Sequence, residues 1–325
     1  MVSANPAPIA CVAPGGEREY LDVMAKASFW QDLGWRAEAL AYGAVEGLVR
    51  LFPPDHVSDF GAWLLRTIGP LTSLHRVAET NLRIAFPEAS DAEIARLLDA
   101  QWREIGRVML EFLVLDRIVA DPSRVEVVGG DRLRAIADSG SGAVFISGHF
   151  SAFEVMAWAI LQAGIRCQVT YRATNNPYFD ERIRRARYRY GVRLFAPKGL
   201  ASARELMRAM ARGESIALMN DQKYNAGVAA PFFGLTVHTA QGPSSYALRF
   251  GVPLQPLSVE RTRKARFRVI VHDPIALDDT GDREADLETA VRRVNAFMED
   301  RVRARPTEWF WVHRRWPNEL YKRTG

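Results

Sequence analysis

Ala143-Val-Phe-Ile-Ser-Gly-His-Phe-Ser-Ala-Phe-Glu154 is the stretch whose reading decides the fold. Ala143 to Ser147 is a short, unbroken apolar run, as expected of a strand buried on both faces. Gly148-His149 turns the chain, and the spacing of Val155, Met156, Trp158 and Ile160 predicts a helix from about Ser151. A strand-to-helix turn of this kind belongs to an α/β sheet, where chemistry gathers at the carboxyl ends of strands. His149 and Glu154 face each other across the turn with four residues between them. In one reading Ser151 is an N-cap and Glu154 closes a capping box, which leaves His149 an ordinary polar residue. In the other, His149 is a general base and Glu154 holds its imidazole in the right tautomer and favours its charged form. The spacing admits both.

Working outward, the text downstream alternates between short β-rich runs and helical periods. Strands are expected at Val125–Val128, Ala143–Ser147, Cys167–Tyr171, Val192–Phe195 and Ser215–Met219, with helices between them, notably an Arg-rich one from Phe179 to Tyr190. That alternation predicts βαβ units and a mostly parallel central sheet flanked by helices. After Pro231 the pattern loosens into a helix Gly242–Phe250, two strands, Leu254–Glu260 and Phe267–Val271, and a long amphipathic helix Glu284–Arg303. Upstream, residues 21–120 read as a helical N-terminal region, punctuated by Pro54, Pro70 and Pro87, that precedes an α/β domain over 121–325. Residues 1–20, rich in Ala and Pro and without a basic start, read as a disordered leader rather than a secretory signal.

No stretch reaches the ~20 apolar residues of a membrane span. The best candidate, Leu33 to Phe52, is interrupted by Arg36, Glu38, Glu46 and Arg50. Its residues Leu33, Ala37, Leu40, Ala41, Ala44, Val45, Leu48 and Phe52 form one apolar face, with Glu46 and Arg50 expected to pair on the other side. This is either a core-facing helix or an in-plane membrane helix with Trp30 and Trp35 at headgroup level. The net charge of +5 suggests an anionic partner. Two cysteines, Cys11 and Cys167, are too few for a disulfide framework. His56, His75, His149, His238, His272 and His313 show no metal-ligand spacing, so no metal or cofactor is expected. The Arg runs at 182–193, 261–268 and 301–315 lack a recognisable nucleic-acid module, and no nucleic acid is expected as a partner.

Polar bursts follow the other strands. Arg172-Ala-Thr-Asn-Asn-Pro177 comes after Tyr171, where a guanidinium can grip phosphate or carboxylate. Asn220-Asp221-Gln222-Lys223 comes after Met219, either as substrate-positioning groups or as a capped turn. Val228-Ala-Ala-Pro-Phe-Phe-Gly234 reads as an apolar loop that either lines a slot for a hydrocarbon or simply packs.

Gly148-His149-Phe150 to Glu154, Tyr171-Arg172, Asp221-Gln222, Pro231-Phe-Phe-Gly234 with Thr239, and Trp311-Val-His-Arg-Arg315 occur in that order. Together they resemble the late (lauroyl/myristoyl) acyltransferases of lipid A biosynthesis, within the lysophospholipid acyltransferase-like superfamily, over residues 25–320. The resemblance implies a glycerolipid-acyltransferase-like fold at the cytoplasmic face of an inner membrane, held there peripherally or monotopically on its anionic surface. It also implies transfer from an acyl-carrier-protein thioester to a hydroxyl of a glycolipid acceptor. On that reading His149 and Glu154 are catalytic. Gly148, Phe150, Arg172, Asn175, Asp221, Gln222, Phe232, Phe233 and Thr239 meet the substrates, with Phe150, Phe232 and Phe233 lining the acyl groove.

A hydroxyl attacking a thioester must lose its proton as the bond forms, and a histidine suits that. No Gly-x-Ser-x-Gly elbow is present, which argues against a covalent serine intermediate. Backbone N–H groups after His149 are the expected oxyanion donors. Two other readings stay open: the same fold acting on another lipid acceptor or using acyl-CoA, and a non-catalytic basic protein that binds membranes or nucleic acid.

Overall fold

The computed structural model describes residues 28–171, 173–192, 195–196 and 200–322. The expected leader and Arg172 lie outside them. Among the described residues five α-helices come first: α1 (Phe29–Val49), α2 (Pro54–Ile68), α3 (Ser73–Ala85), α4 (Asp91–Glu111) and α5 (Leu115–Val119). Ser90 caps α4 in a full capping box with Glu93, and Pro54 opens α2 at its first turn. The α/β part then runs β1 (Val125–Val128), α6 (Gly130–Ser139), β2 (Val144–Ser147), α7 (Glu154–Gln162), β3 (Cys167–Thr170), α8 (Pro177–Arg189), β4 (Phe195–Ala196), α9 (Leu200–Ala211) and β5 (Ser215–Met219). It continues with β6 (Lys223–Phe232), β7 (Leu235–Thr239), α10 (Gly242–Phe250), β8 (Leu254–Arg263), β9 (Arg266–Val271) and α11 (Arg283–Ala304).

Among the described residues the main sheet has seven strands in the order β1-β9-β8-β2-β5-β3-β4. Every neighbouring pair is parallel except β8 with β9, which form an antiparallel hairpin. This is the mostly parallel α/β sheet that the alternating pattern predicts. β2 lies at its centre, and its side chains divide the core. Phe145 enters the cluster on one face, with Val155, Ile160 and Phe267. Val144 and Ile146 enter the other, with Leu206, Leu254, Trp309 and Trp316. Burial on both faces is why the strand reads as a continuous apolar run.

Two expectations need correction. The loop predicted at Val228–Gly234 is the second half of β6 and the turn of a separate antiparallel ribbon, β6–β7, closed by Phe233 and Gly234, both at positive φ. Pro231 inside the run masks the strand, because proline removes a ladder donor and survives only where none is needed. The second concerns α1. Its predicted apolar face, including Leu33, Leu40, Val45 and Leu48, points outward, and the opposite side packs on α8. Tyr178 Oη donates to Asp32 at 2.7 Å, Asn176 Nδ2 donates to Glu38 at 2.8 Å and Arg189 binds Glu46 at 2.6 Å. Glu46 and Arg50 therefore do not pair. Arg50 instead grips Asp116 through two bonds of 2.8 Å. That apolar face is thus not core-facing, although Val49 on another side of the helix joins the core, and no helix among the described residues is long and apolar enough to cross a membrane.

Candidate active site

The site follows from strand register. β2 and β5 are adjacent and parallel, with Ser147 opposite Met219. Counting two residues past each aligned end reaches His149 on one strand and Asp221 on the other, with strands about 4.8 Å apart. His149 Nδ1 and Asp221 Oδ1 are 2.8 Å apart, and the His149 backbone N–H donates to Asp221 Oδ2 at 2.8 Å. Trp309 Nε1 donates to the same Oδ2 at 2.8 Å. Burial alone would raise the Asp221 pKa, but the charge of His149 and these hydrogen bonds outweigh it and hold the carboxyl well below the usual range. An ionised carboxylate accepts only, so Nδ1 carries the proton and Nε2 is left to accept one.

The turn between them is tightly specified. A Cβ on Gly148 would lie 2.5 Å from the Phe150 ring, so only glycine fits there. Ser151 takes a left-handed φ of 41°, unusual for a residue with a side chain. It is held from both sides: its N–H donates to Glu308 O at 2.8 Å and its hydroxyl to Glu104 Oε1 at 2.6 Å. Glu104 is gripped in turn by the buried Arg261 through two bonds of 2.7 Å, and Arg261 also binds Glu111. Ser151 is thus not an N-cap and no capping box forms. Helix α7 begins three residues later, at Glu154.

Glu154 is therefore placed differently from the sequence expectation. Tyr190 Oη donates to its Oε2 at 2.6 Å, and Arg187 binds it through Nε at 3.2 Å and through Nη2. Burial works to raise its pKa, but Arg187 and these bonds prevail and the carboxylate stays ionised. The role of holding the Nδ1 side of His149 falls to Asp221, a residue distant in sequence. The family resemblance counts Asp221 among the substrate contacts.

The chain's last segment completes the site. Phe310 N–H donates to His149 O at 3.1 Å, and Phe150 and Trp309 form an antiparallel bridge. Phe153 and Phe310 pack around the His149 ring, with centroids 5.0 and 6.3 Å away. The His313 ring lies 5.7 Å from that of His149, and its Nε2 is 3.3 Å from the Gln222 amide nitrogen. Gly148, His149, Asp221 and Gln222 thus converge, joined by Trp309, Phe310 and His313, which the sequence did not assign to the site.

The other expected substrate contacts are exposed or packed into the core. Asn175 is exposed just ahead of α8, and its neighbour Asn176 is the helix cap. Thr239 is fully buried, bonded to Arg315 and Asn295. Phe150, Phe232 and Phe233 are buried in the core; the last two pack on Trp316, and Phe233 also meets Phe86. They fill space and do not line an open groove.

A mostly parallel α/β sheet with a carboxylate-held histidine at its central strand end defines an α/β protein with a candidate proton acceptor at its centre. Comparison with known proteins narrows it. The family model described as bacterial lipid A biosynthesis acyltransferase matches residues 35–318, and the chain belongs to that family. It is 24% identical over 249 residues to the lipid A biosynthesis lauroyltransferase of Escherichia coli (strain K12), covering 74% of this chain and 78% of the relative. It is 27% identical over 300 residues to the myristoyltransferase of the same strain, covering 87% and 90%. A lipid A biosynthesis acyltransferase of Haemophilus influenzae matches at 24% over 83% of this chain and 86% of its own length.

Proposed function

We propose that this protein transfers a fatty acyl chain from an acyl-carrier-protein thioester to a hydroxyl of a lipid A precursor, with His149 as general base and Asp221 as its positioning partner. The observation that carries the reading is the double grip of Asp221 on His149, through the ring Nδ1 and the backbone N–H. That grip sets the tautomer in which Nε2 is the nitrogen that takes the hydroxyl proton, and it stabilises the imidazolium that results. Family membership supplies the acyl-transfer class and the glycolipid acceptor. The net charge of +5 suits an acidic carrier protein and an anionic lipid surface. The outward apolar residues of α1 and α2, among them Trp30, Leu40, Leu48, Phe60 and Trp63, suit attachment at the membrane where the acceptor resides.

The test is acyl transfer by the purified protein, with a panel of acyl-carrier-protein thioesters and a tetra-acylated lipid A precursor. Transfer that falls by about 10²- to 10⁴-fold in His149→Ala is expected of a lost general base. Undiminished turnover in that variant would remove His149 from the mechanism. Wild-type transfer only to a different lipid, or only from acyl-CoA, would keep the reaction class and replace the substrate.

A further inference from the structure

Most of the backbone N–H groups that follow His149, the expected oxyanion donors, are already used within the protein. The N–H of His149 goes to Asp221, that of Phe150 to Gly148 O and that of Ser151 to Glu308 O. Those of Phe153, Val155 and Met156 go to the carbonyls of Ser151, Ala152 and Phe153. The α7 terminus starts too late, and its first turn is too closed, to serve as an open nest of donors. Yet a thioester carbonyl under attack develops a full negative charge that needs a donor about 3 Å away.

We infer that the side chain of His313 is the hydrogen-bond donor to that oxyanion, a role that rests on the proposed acyl-transfer reaction. Its ring lies 5.7 Å from that of His149. A carbonyl held beside the two rings is within reach both of the hydroxyl that His149 activates and of a donor on His313. The ring is also held in place. Asn81 Nδ2 donates to the carbonyls of both Trp311 and His313, so the backbone on either side of Val312 is fixed from α3. The Gln222 amide nitrogen can only donate, so His313 Nε2 accepts and the proton of the neutral ring sits on Nδ1. The ring remains accessible to a substrate. Desolvation by the surrounding protein, and then the nearby charge of His149, holds its pKa below the ordinary value. A neutral imidazole that donates without giving up its proton is an established electrophile.

The step balances as follows. The hydroxyl oxygen forms a bond to the thioester carbon, its proton passes to His149 Nε2, and the carbonyl electron pair moves onto oxygen, facing His313 Nδ1–H. The tetrahedral species then collapses, the C–S bond breaks, and the proton on His149 passes to the departing sulfur to give the free thiol. His313 keeps its proton throughout.

Kinetics of the full chain with an acyl-carrier-protein thioester and the tetra-acylated precursor test this, comparing wild type with His313→Ala, His313→Asn and His313→Gln. The expectation for His313→Ala is a kcat lower by about 10²- to 10³-fold, with KM within about threefold and the unfolding midpoint unchanged. Asn places an amide N–H near the former Nδ1 and should recover at least about tenfold of the loss. Gln instead reproduces the Nε2 position, restores only the contact to Gln222, and should not. A wild-type kcat in His313→Ala, or rescue by Gln in place of Asn, overturns the inference and leaves the parent reaction standing. A wild type that transfers no acyl group overturns both.

Discussion

Asp221 accepts three hydrogen bonds in a buried pocket, and each comes from a group that the fold brings from elsewhere. Asp221→Asn should therefore keep the site's shape but lose the tautomer control of His149. The expected result is a kcat lower by about 10²- to 10⁴-fold with little change in thermal midpoint; a loss of less than about threefold would show that His149 does not depend on it. Glu154 calls for a different expectation. It and Arg187 are about 12% and 13% exposed, so Glu154→Ala strands a buried guanidinium. That should cost ~3–5 kcal/mol in urea unfolding, most of it recovered when Arg187→Met is added to Glu154→Leu. If the stability of the double variant returns while its turnover does not, Glu154 acts in the chemistry directly. His149 was legible from a glycine-turn after an apolar run. Its partner was not, because Glu154 is near in sequence whereas Asp221 becomes a neighbour only once β5 inserts beside β2. The hint lay in equal offsets past two strand ends, and it has meaning only when those strands are known to pair. His313 carried even less signal: it belonged to a quoted motif, but nothing local says that a terminal segment returns to the sheet's centre.

At the scale of elements, α1 shows the limit of periodicity. The stripe from Leu33 to Phe52 was correct as a stripe, yet a hydrophobic period does not say which side meets the protein. The polar side of α1 found specific partners on and beside α8, and the apolar side stays exposed. Leu40→Glu with Leu48→Glu should thus leave the unfolding midpoint nearly unchanged, as exposed substitutions do. The same pair should sharply reduce co-sedimentation with vesicles containing anionic lipid. Unchanged vesicle binding would detach this face from the membrane. The parallel strands were readable because burial on both faces leaves long apolar runs. The β6–β7 ribbon was not, since Pro231 and a Phe233-Gly234 turn speak against a strand and a hairpin tip respectively.

Across the whole molecule, one buried network ties the helical region to the sheet and the terminal segment. Arg261 of β8 binds Glu104 and Glu111 of α4 and donates its backbone N–H to Glu308 at 3.2 Å, while Glu104 and Glu308 together hold Ser151. Burial, then the charge of Glu104, pushes the Glu308 carboxyl up to about 7. Because this folded value lies above the unfolded one, its contribution to stability is fully present below the ordinary carboxylate pKa and is lost as pH rises through about 7. Compared with Glu308→Gln, the wild type should lose roughly 1–3 kcal/mol of unfolding free energy between pH 5 and pH 8. A difference that stays flat across this range would show that Glu308 is ionised throughout. The terminal segment has a further consequence. Trp309 closes the pocket around Asp221 and Phe310 ties down the carbonyl of His149, so the residues that finish the site are made more than 150 positions after the histidine they serve. During synthesis a chain folds from its beginning. A half-made molecule thus presents its outward apolar helix well before its histidine–carboxylate pair is enclosed, and on the proposed reading it could meet a bilayer before it could do chemistry.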